Sequence, residues 1–155
     1  MMRSILIIIF CSFVTFAYAD QEIKTTSVEK AVFESVIFPA SYPIPWFNKL
    51  NDYLRCELTE VEAAKADAIF IDYMTIHRID EFNPDLMNYR RQYFGLIRKF
   101  DGHTCVWINC FLNVREFNNW KKQLVEIKDG GSSFFNIKVD LDAGEAFDLA
   151  VNRES

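Results

Sequence analysis

The chain has 155 residues, of which 50% are hydrophobic, and its formal net charge at pH 7 is −5. This length is sufficient for one domain with its own apolar core. The acidic excess argues against nucleic acid as a partner, because a phosphate backbone is bound by a basic surface.

The first nineteen residues have the three parts of a cleavable signal peptide. Arg3 supplies the positive charge, residues 5–16 form the apolar core, and residues 17–19 have the small-residue pattern of a cleavage site. The apolar run is shorter than the roughly 20 residues that a helix needs to cross a bilayer. The sequence therefore predicts a signal peptide over 1–19, a single domain over 20–155, and a secreted or periplasmic protein without a transmembrane segment after cleavage.

The first predicted strand covers residues 31–38, which are rich in β-branched and aromatic side chains. Three prolines between residues 39 and 45 end it. Residues 46–58 have partly helical spacing after this proline-rich entry, so their state is left open. Thr59 and Glu62 form a capping-box pattern, which predicts a helix from about 60 to 77.

Five apolar residues of this helix follow at helical intervals, and we expect them to face the core. They are Val61, Ala64, Ala68, Ile71 and Ile76.

The second half of the chain alternates between apolar and polar residues as strands do. Residues 89–100 and 103–112 flank Asp101-Gly102, a dipeptide typical of a two-residue hairpin turn. Residues 114–121 indicate a short helical connection. Further strands are predicted over 123–128, 134–141 and 145–151. The pattern predicts an α+β domain in which one main helix packs on a meander-like antiparallel sheet of about five strands.

Pairing about a two-residue turn sets Leu96 opposite Trp107 and Phe94 opposite Asn109, and it separates the two faces of the hairpin. One face should join the core together with apolar residues of the later strands. The residues expected on this core face are Tyr93, Ile97, Val106, Ile108, Cys110, Leu112, Phe135, Ile137, Val139, Leu141, Phe147, Leu149 and Val151.

The opposite face of the hairpin is also apolar. It carries Phe94, Leu96, Trp107 and Phe111, with Arg98 at its rim. Exposed patches of this kind usually bind partners, and Trp and Arg are common anchors. The sequence therefore predicts a partner-binding surface here, for a protein or a small ligand. The alternative is that residues 31–50, which are themselves rich in apolar side chains, cover this face.

Signal cleavage leaves three cysteines. Cys105 and Cys110 lie five residues apart on one predicted strand, so they point to opposite faces about 16 Å apart and cannot be bonded. A disulfide between Cys56 and Cys110 is one prediction for these thiols, and three free thiols are the other.

His103 and Cys105 share one face of a predicted strand and could form a Cys–His pair. Polar residues are also expected beside a hairpin turn, which explains His103 without catalysis. His77 is the only other histidine, and no C-x-x-C or H-x-x-x-H spacing accompanies it. The sequence therefore predicts neither a metal site nor a cofactor.

Four short segments carry a resemblance. Trp120-Lys121-Lys122, Asp129-Gly130-Gly131, residues 135–138 and Val151-Asn152 resemble a pattern in small exported bacterial proteins of uncharacterised function. The resemblance implies an exported bacterial protein with this order of hairpins, and it brings no catalytic residues with it.

These observations predict an exported, non-enzymatic binding domain, such as an inhibitor, an immunity-type factor or a subunit of an envelope complex. Two alternatives stay open. One is a small hydrolase in which His103 acts with Cys105 or Cys110, and the other is a purely structural envelope protein.

Overall fold

The computed structural model describes residues 33–47, 51–77, 85–112, 117–127 and 129–152. The predicted signal peptide lies outside these ranges. The elements are β1 (Ser35–Phe38), β2 (Tyr53–Cys56), α1 (Glu60–Ile76), β3 (Tyr89–Arg98), β4 (Thr104–Leu112), β5 (Phe134–Asp140) and β6 (Glu145–Val151). The predicted α+β class with one main helix is confirmed, but six strands are described instead of five. No helix in these ranges is long and apolar enough to cross a membrane.

The sheet is mixed, although most of its pairs are antiparallel. Its order is β1-β3-β4-β5-β6, and β2 also pairs with β3. The ten-residue β3 accommodates both four-residue strands on one edge: β1 runs parallel to its first half and β2 antiparallel to its second half. The predicted meander is therefore correct from β3 onward, and the parallel β1 departs from it.

Gly95 allows β2 to pair closely with β3. A Cβ atom at this position would lie 2.5 Å from the carbonyl oxygen of Cys56. Such a contact is too short for any side chain, so only glycine permits β2 to approach here.

The capping box of α1 is confirmed. The Thr59 hydroxyl accepts a hydrogen bond from the Glu62 backbone N–H at 3.2 Å, and the Glu62 carboxylate accepts one from the Thr59 N–H at 2.8 Å. The predicted core face of the helix was wrong. The buried residues are Ala63, Ala66, Asp67, Phe70 and Met74.

Four of the residues expected to face the core are exposed instead, and Ile71 is half-buried. The exposed ones are Val61, Ala64, Ala68 and Ile76. The reason lies in the partners of α1: Phe70 and Met74 bring larger apolar side chains to the sheet, and Asp67 is held inward by Arg91.

The β3–β4 hairpin is confirmed, but its register is two residues away from the predicted one. Leu96 pairs with Cys105 and Phe94 pairs with Trp107. The connection is therefore longer than Asp101-Gly102. The Asp101 carboxylate accepts hydrogen bonds from the Arg98 side chain and from the His103 N–H, and these bonds favour a wider turn. Because the shift is even, every side chain keeps its predicted face.

The helix side of the sheet forms the larger core. Seven strand residues and Leu141, which directly follows β5, are buried there as expected; the seven are Tyr93, Val106, Ile108, Cys110, Phe135, Ile137 and Val139. Phe147 is an exception, because it packs on the opposite side of the sheet. A bulge opposite Ile137 changes the alternation of β6, and Asp148 at this bulge has a φ of 52°. Val151 is 38% exposed and also falls outside the core.

Candidate functional site

The four apolar residues of the predicted binding surface are buried. Their exposed fractions are 0% for Phe94, 1% for Leu96, 6% for Trp107 and 0% for Phe111. The prediction of an exposed patch was therefore wrong. The sequence alternative is correct for residues 33–47, which pack over Phe94, Leu96 and Trp107.

The covering contacts are mainly aromatic. The ring of Phe38 stacks on Phe94 with a centroid distance of 4.8 Å, and Trp46 meets Trp107 edge-on at 4.7 Å. Both distances lie in the range of favourable aromatic pairs. This face of the sheet is thus a second core, which local strand periodicity cannot distinguish from an open surface.

A second segment, residues 117–127, covers the remaining part of this face. Trp120 and Val125 bury Phe111. Residues 123–127 form no strand, so the strand predicted over 123–128 was wrong within the described residues. Residues 117–121 form turns and not the predicted helix, while residues 113–116 lie outside the described ranges.

Gln92 holds this segment on the sheet. Its side chain is 0% exposed, and its Nε2 donates hydrogen bonds to the carbonyl oxygens of Trp120 at 2.6 Å and Gln123 at 2.8 Å. Its Oε1 accepts from the Val125 N–H at 3.0 Å and from Asn109 Nδ2 at 3.0 Å. All four hydrogen-bonding positions of a buried amide are therefore used.

Hydrogen bonds also determine the orientation of two further side-chain amides, those of Asn109 and Asn136. Asn109 Nδ2 also donates to the carbonyl oxygen of Val125 at 2.8 Å, and this oxygen can only accept. The Asn136 Oδ1 accepts from the Trp107 indole N–H at 3.1 Å, and this group can only donate. Asn109 Oδ1 and Asn136 Nδ2 are left without a hydrogen bond in the described part of the chain.

A cleft of about 470 Å³ lies beside these two asparagines. Its walls come from Trp46, from strands β4 and β5, from residues 125–127, and from Asn152, which directly follows β6. The lining residues are Trp46, Trp107, Asn109, Val125, Glu126, Ile127, Phe134, Phe135, Asn136 and Asn152. Its volume falls within the range of small-molecule sites, and its lining combines apolar with polar side chains.

Comparison with known proteins assigns the chain to no family. No protein-family model, curated protein or solved structure matches it. The resemblance to small exported bacterial proteins therefore stays a prediction, and the function of the cleft has to be inferred from its own residues.

The sequence contained one usable signal for this site. Gln92 and Asn109 are polar residues in the middle of a mainly apolar face, and they are directly paired across β3 and β4. Buried polar side chains need hydrogen-bond partners, so they indicated a covering backbone segment. Trp46 and Asn152 carried no such signal, because their place in the cleft depends on loops far apart in the sequence.

Arg98 belongs to an ion cluster beside the aromatic face. Its Nη2 is 2.6 Å from a carboxylate oxygen of Asp101 and 2.6 Å from one of Asp140. His103 Nδ1 is 2.9 Å from the same Asp140 carboxylate. The ligand atoms of Asp101, His103 and Asp140 lie within 4.8 Å of one another, as in metal sites, but Arg98 supplies the positive charge that these carboxylates need.

This cluster joins the β3–β4 hairpin to the β5–β6 hairpin. Asp140 is 2% exposed; burial alone would raise the pKa of its carboxyl, but hydrogen bonds from Ala143 N–H and His103 and the charge of Arg98 outweigh this and lower the pKa. The hydrogen bond from Arg98 lowers the pKa of Asp101 to about 2. The hydrogen bond to Asp140 raises the pKa of His103.

We expect the stabilising effect of His103 to depend on pH. Because its folded pKa lies above the unfolded value of about 6.5, its contribution is complete below about pH 6 and is lost as the pH rises through the folded pKa. The urea midpoint of the wild-type protein should exceed that of His103→Gln by more at about pH 5.5 than at about pH 9. A difference that is equal at the two pH values, or larger at the higher one, would contradict this assignment.

The described thiols are not activated for catalysis. Burial raises the pKa of Cys105 to about 11, and it also raises the pKa of Cys56 and Cys110. No hydrogen bond joins His103 to a thiol within the described ranges, since the imidazole binds Asp140 instead. A nucleophilic cysteine needs the opposite conditions, namely a lowered pKa and a base in hydrogen-bond reach.

The predicted disulfide between Cys56 and Cys110 was wrong. Cys56, Cys105 and Cys110 are all free. In the sheet, Cys56 pairs with Gly95 and Cys110 pairs with Arg91, so the two cysteines are four residues apart along β3, or about 13 Å. Bonded cysteines need Cα atoms within about 7 Å.

Proposed function

We propose that this protein is an exported, non-enzymatic binding domain whose ligand site is the cleft beside Trp46. The observation that carries the proposal is a pair of asparagines, Asn109 and Asn136, which line a cleft of about 470 Å³ and each keep one amide atom without a hydrogen bond in the described part of the chain, Oδ1 and Nδ2 respectively. One atom accepts and the other donates, and the orientation of both amides is determined by buried partners. A site that needs no rearrangement on binding loses little free energy to ordering.

The hydrophobic contribution to binding comes from the same cleft. Trp46 is half-buried, so part of its ring remains accessible, whereas Trp107 is 6% exposed and serves as a support. Burying the remaining surface of a tryptophan contributes to affinity, and tryptophan is one of the commonest anchors of binding sites. The raised pKa values of the three thiols favour this function over a Cys–His hydrolase.

Binding in the cleft can be tested with ¹⁵N-labelled protein and a library of small neutral fragments. We expect at least one fragment to shift the indole N–H signal of Trp46 and the backbone N–H signals of Val125 and Asn136. The indole signal of Trp120, which does not line this cleft, is the internal reference. Material for the test should be purified after export, and its N-terminal residue should be Asp20 if the signal peptide is cleaved as predicted.

Two alanine variants control this experiment. Trp46→Ala removes one wall of the cleft and should abolish the fragment shifts. Phe100→Ala is the matched control, because Phe100 is 79% exposed on the β3–β4 turn and does not line the cleft. The proposal is wrong if no fragment shifts the Trp46 signal, or if Trp46→Ala leaves the shifts unchanged.

A further inference from the structure

The lining of the cleft points to an uncharged ligand. Its polar side chains are Asn109, Asn136, Asn152 and the carboxylate of Glu126, and among the described residues that line it there is no lysine or arginine. An anionic ligand would be repelled by Glu126 and by the net charge of −5. For a cationic ligand, the described lining offers a single carboxylate.

The two asparagines that carry the available amide atoms are neighbours in the sheet. Asn109 and Asn136 are direct partners in the β4–β5 ladder, so their side chains start from Cβ atoms about 5 Å apart on the same face. One atom is an acceptor and its neighbour is a donor. A ligand that satisfies both must therefore present both a donor and an acceptor.

Neighbouring hydroxyl groups on one ring meet this requirement, because each hydroxyl can both donate and accept. Trp46 and Phe134 also line this cleft, and their aromatic rings favour a ligand with an apolar surface. A sugar ring combines these two features: hydroxyl groups project from its edge, while its C–H groups form an apolar face that packs on an aromatic ring.

We propose that the cleft binds a neutral saccharide, with the apolar face of one sugar ring on Trp46 and adjacent hydroxyls on Asn109 Oδ1 and Asn136 Nδ2. This inference rests on the proposed binding function and names its ligand class. Gln92 and Val125 fix the Asn109 amide and Trp107 fixes the Asn136 amide, so the acceptor and the donor offered to the ligand are determined before it binds.

The test uses the full mature protein and a panel of neutral oligosaccharides: cello-, xylo-, malto- and chito-oligosaccharides. Binding is measured by calorimetry and by the Trp46 indole signal, with an oligogalacturonide as the charged counterpart and a capped tripeptide as the alternative ligand. We expect at least one neutral oligosaccharide to bind and to shift Trp46. The oligogalacturonide should bind more weakly or not at all.

Two variants locate the ligand within the cleft. Asn136→Ala removes the donor and should weaken binding about tenfold or more. Because this change also removes the acceptor of Trp107, Trp46→Ala serves as a second variant that leaves β5 intact and should abolish binding. Phe100→Ala should bind as the wild-type protein does.

The outcomes separate the two proposals. Neutral fragments that bind at Trp46 while no saccharide does, or a capped tripeptide that binds there in its place, would overturn the saccharide and leave the binding function standing. Tighter binding of the charged oligogalacturonide would also overturn it. If neither fragments nor saccharides shift Trp46, both proposals fail.

Discussion

Replacing Asp67 by alanine should lower the free energy of unfolding by about 3–5 kcal/mol. The Asp67 carboxylate lies 2.6 Å from Arg91 Nη1 and accepts a hydrogen bond from the Tyr93 hydroxyl at 3.0 Å. The substitution leaves the guanidinium of Arg91, which is 0% exposed, in the core without that counter-charge. Urea unfolding followed by circular dichroism measures the loss.

An exposed ion pair provides the matched control. Arg90 and Glu34 are also 2.6 Å apart, but Glu34 is nearly half exposed, so Glu34→Ala should lower the stability much less than Asp67→Ala does. If Asp67→Ala costs no more than this, the buried pair does not have the role assigned to it.

The double substitution Asp67→Leu with Arg91→Met should recover much of the stability that the single change loses. Arg91 Nε has no hydrogen-bond partner within the described residues, so the burial of this arginine is incompletely compensated. Apolar residues of similar volume avoid that cost, and replacing a buried ion pair in this way is often neutral or better. A double variant that is less stable than Asp67→Ala would show that the pair is needed for packing.

Gln92→Leu should destabilise the protein by about 3 kcal/mol or more. Leucine has a similar volume but leaves the carbonyl oxygens of Trp120 and Gln123 and the N–H of Val125 without their partner. Buried groups that lose a hydrogen bond cost about 1–3 kcal/mol each. Urea unfolding gives the total, and amide hydrogen exchange at Val125 reports whether residues 120–125 come away from the sheet.

The same change at an exposed neighbour controls for the loss of an amide. Gln123→Leu alters a side chain that is exposed, so the unfolding midpoint and the exchange rate of Val125 should both stay near the wild-type values. We also expect Gln92→Leu to weaken any ligand of the cleft, because Asn109 loses one of the two acceptors that orient it. Equal effects of the two leucine substitutions would contradict the role given to Gln92.

Local patterns were sufficient to predict the helix and five of the six strands, and β2 is the exception because it lies in the segment 46–58 whose state was left open. The Thr59–Glu62 capping box marks the first turn of α1 because both of its hydrogen bonds form within four residues of one another. The bounds predicted for β6 agree with the structure, since a Gly-containing turn precedes an alternating run. The inward face of the helix was not predictable in this way. The burial of Asp67 depends on its ion pair with Arg91 of β3, which lies 24 residues further along the chain.

The sequence by itself determined which side chains of β3 and β4 share a face, because alternation is a property of the extended backbone and survives a register shift of two. It did not determine whether Phe94 and Trp107 reach solvent. Residues 33–47 and 117–127 decide this, because they cover the sheet. Their positions depend on contacts between residues far apart in sequence, such as those of Phe38 and Trp46 with the sheet and the hydrogen bond of Gln92 to Trp120. The cleft has the same origin: its walls come from segments separated by up to about a hundred residues, so only the tertiary structure brings its aromatic rings and amides together.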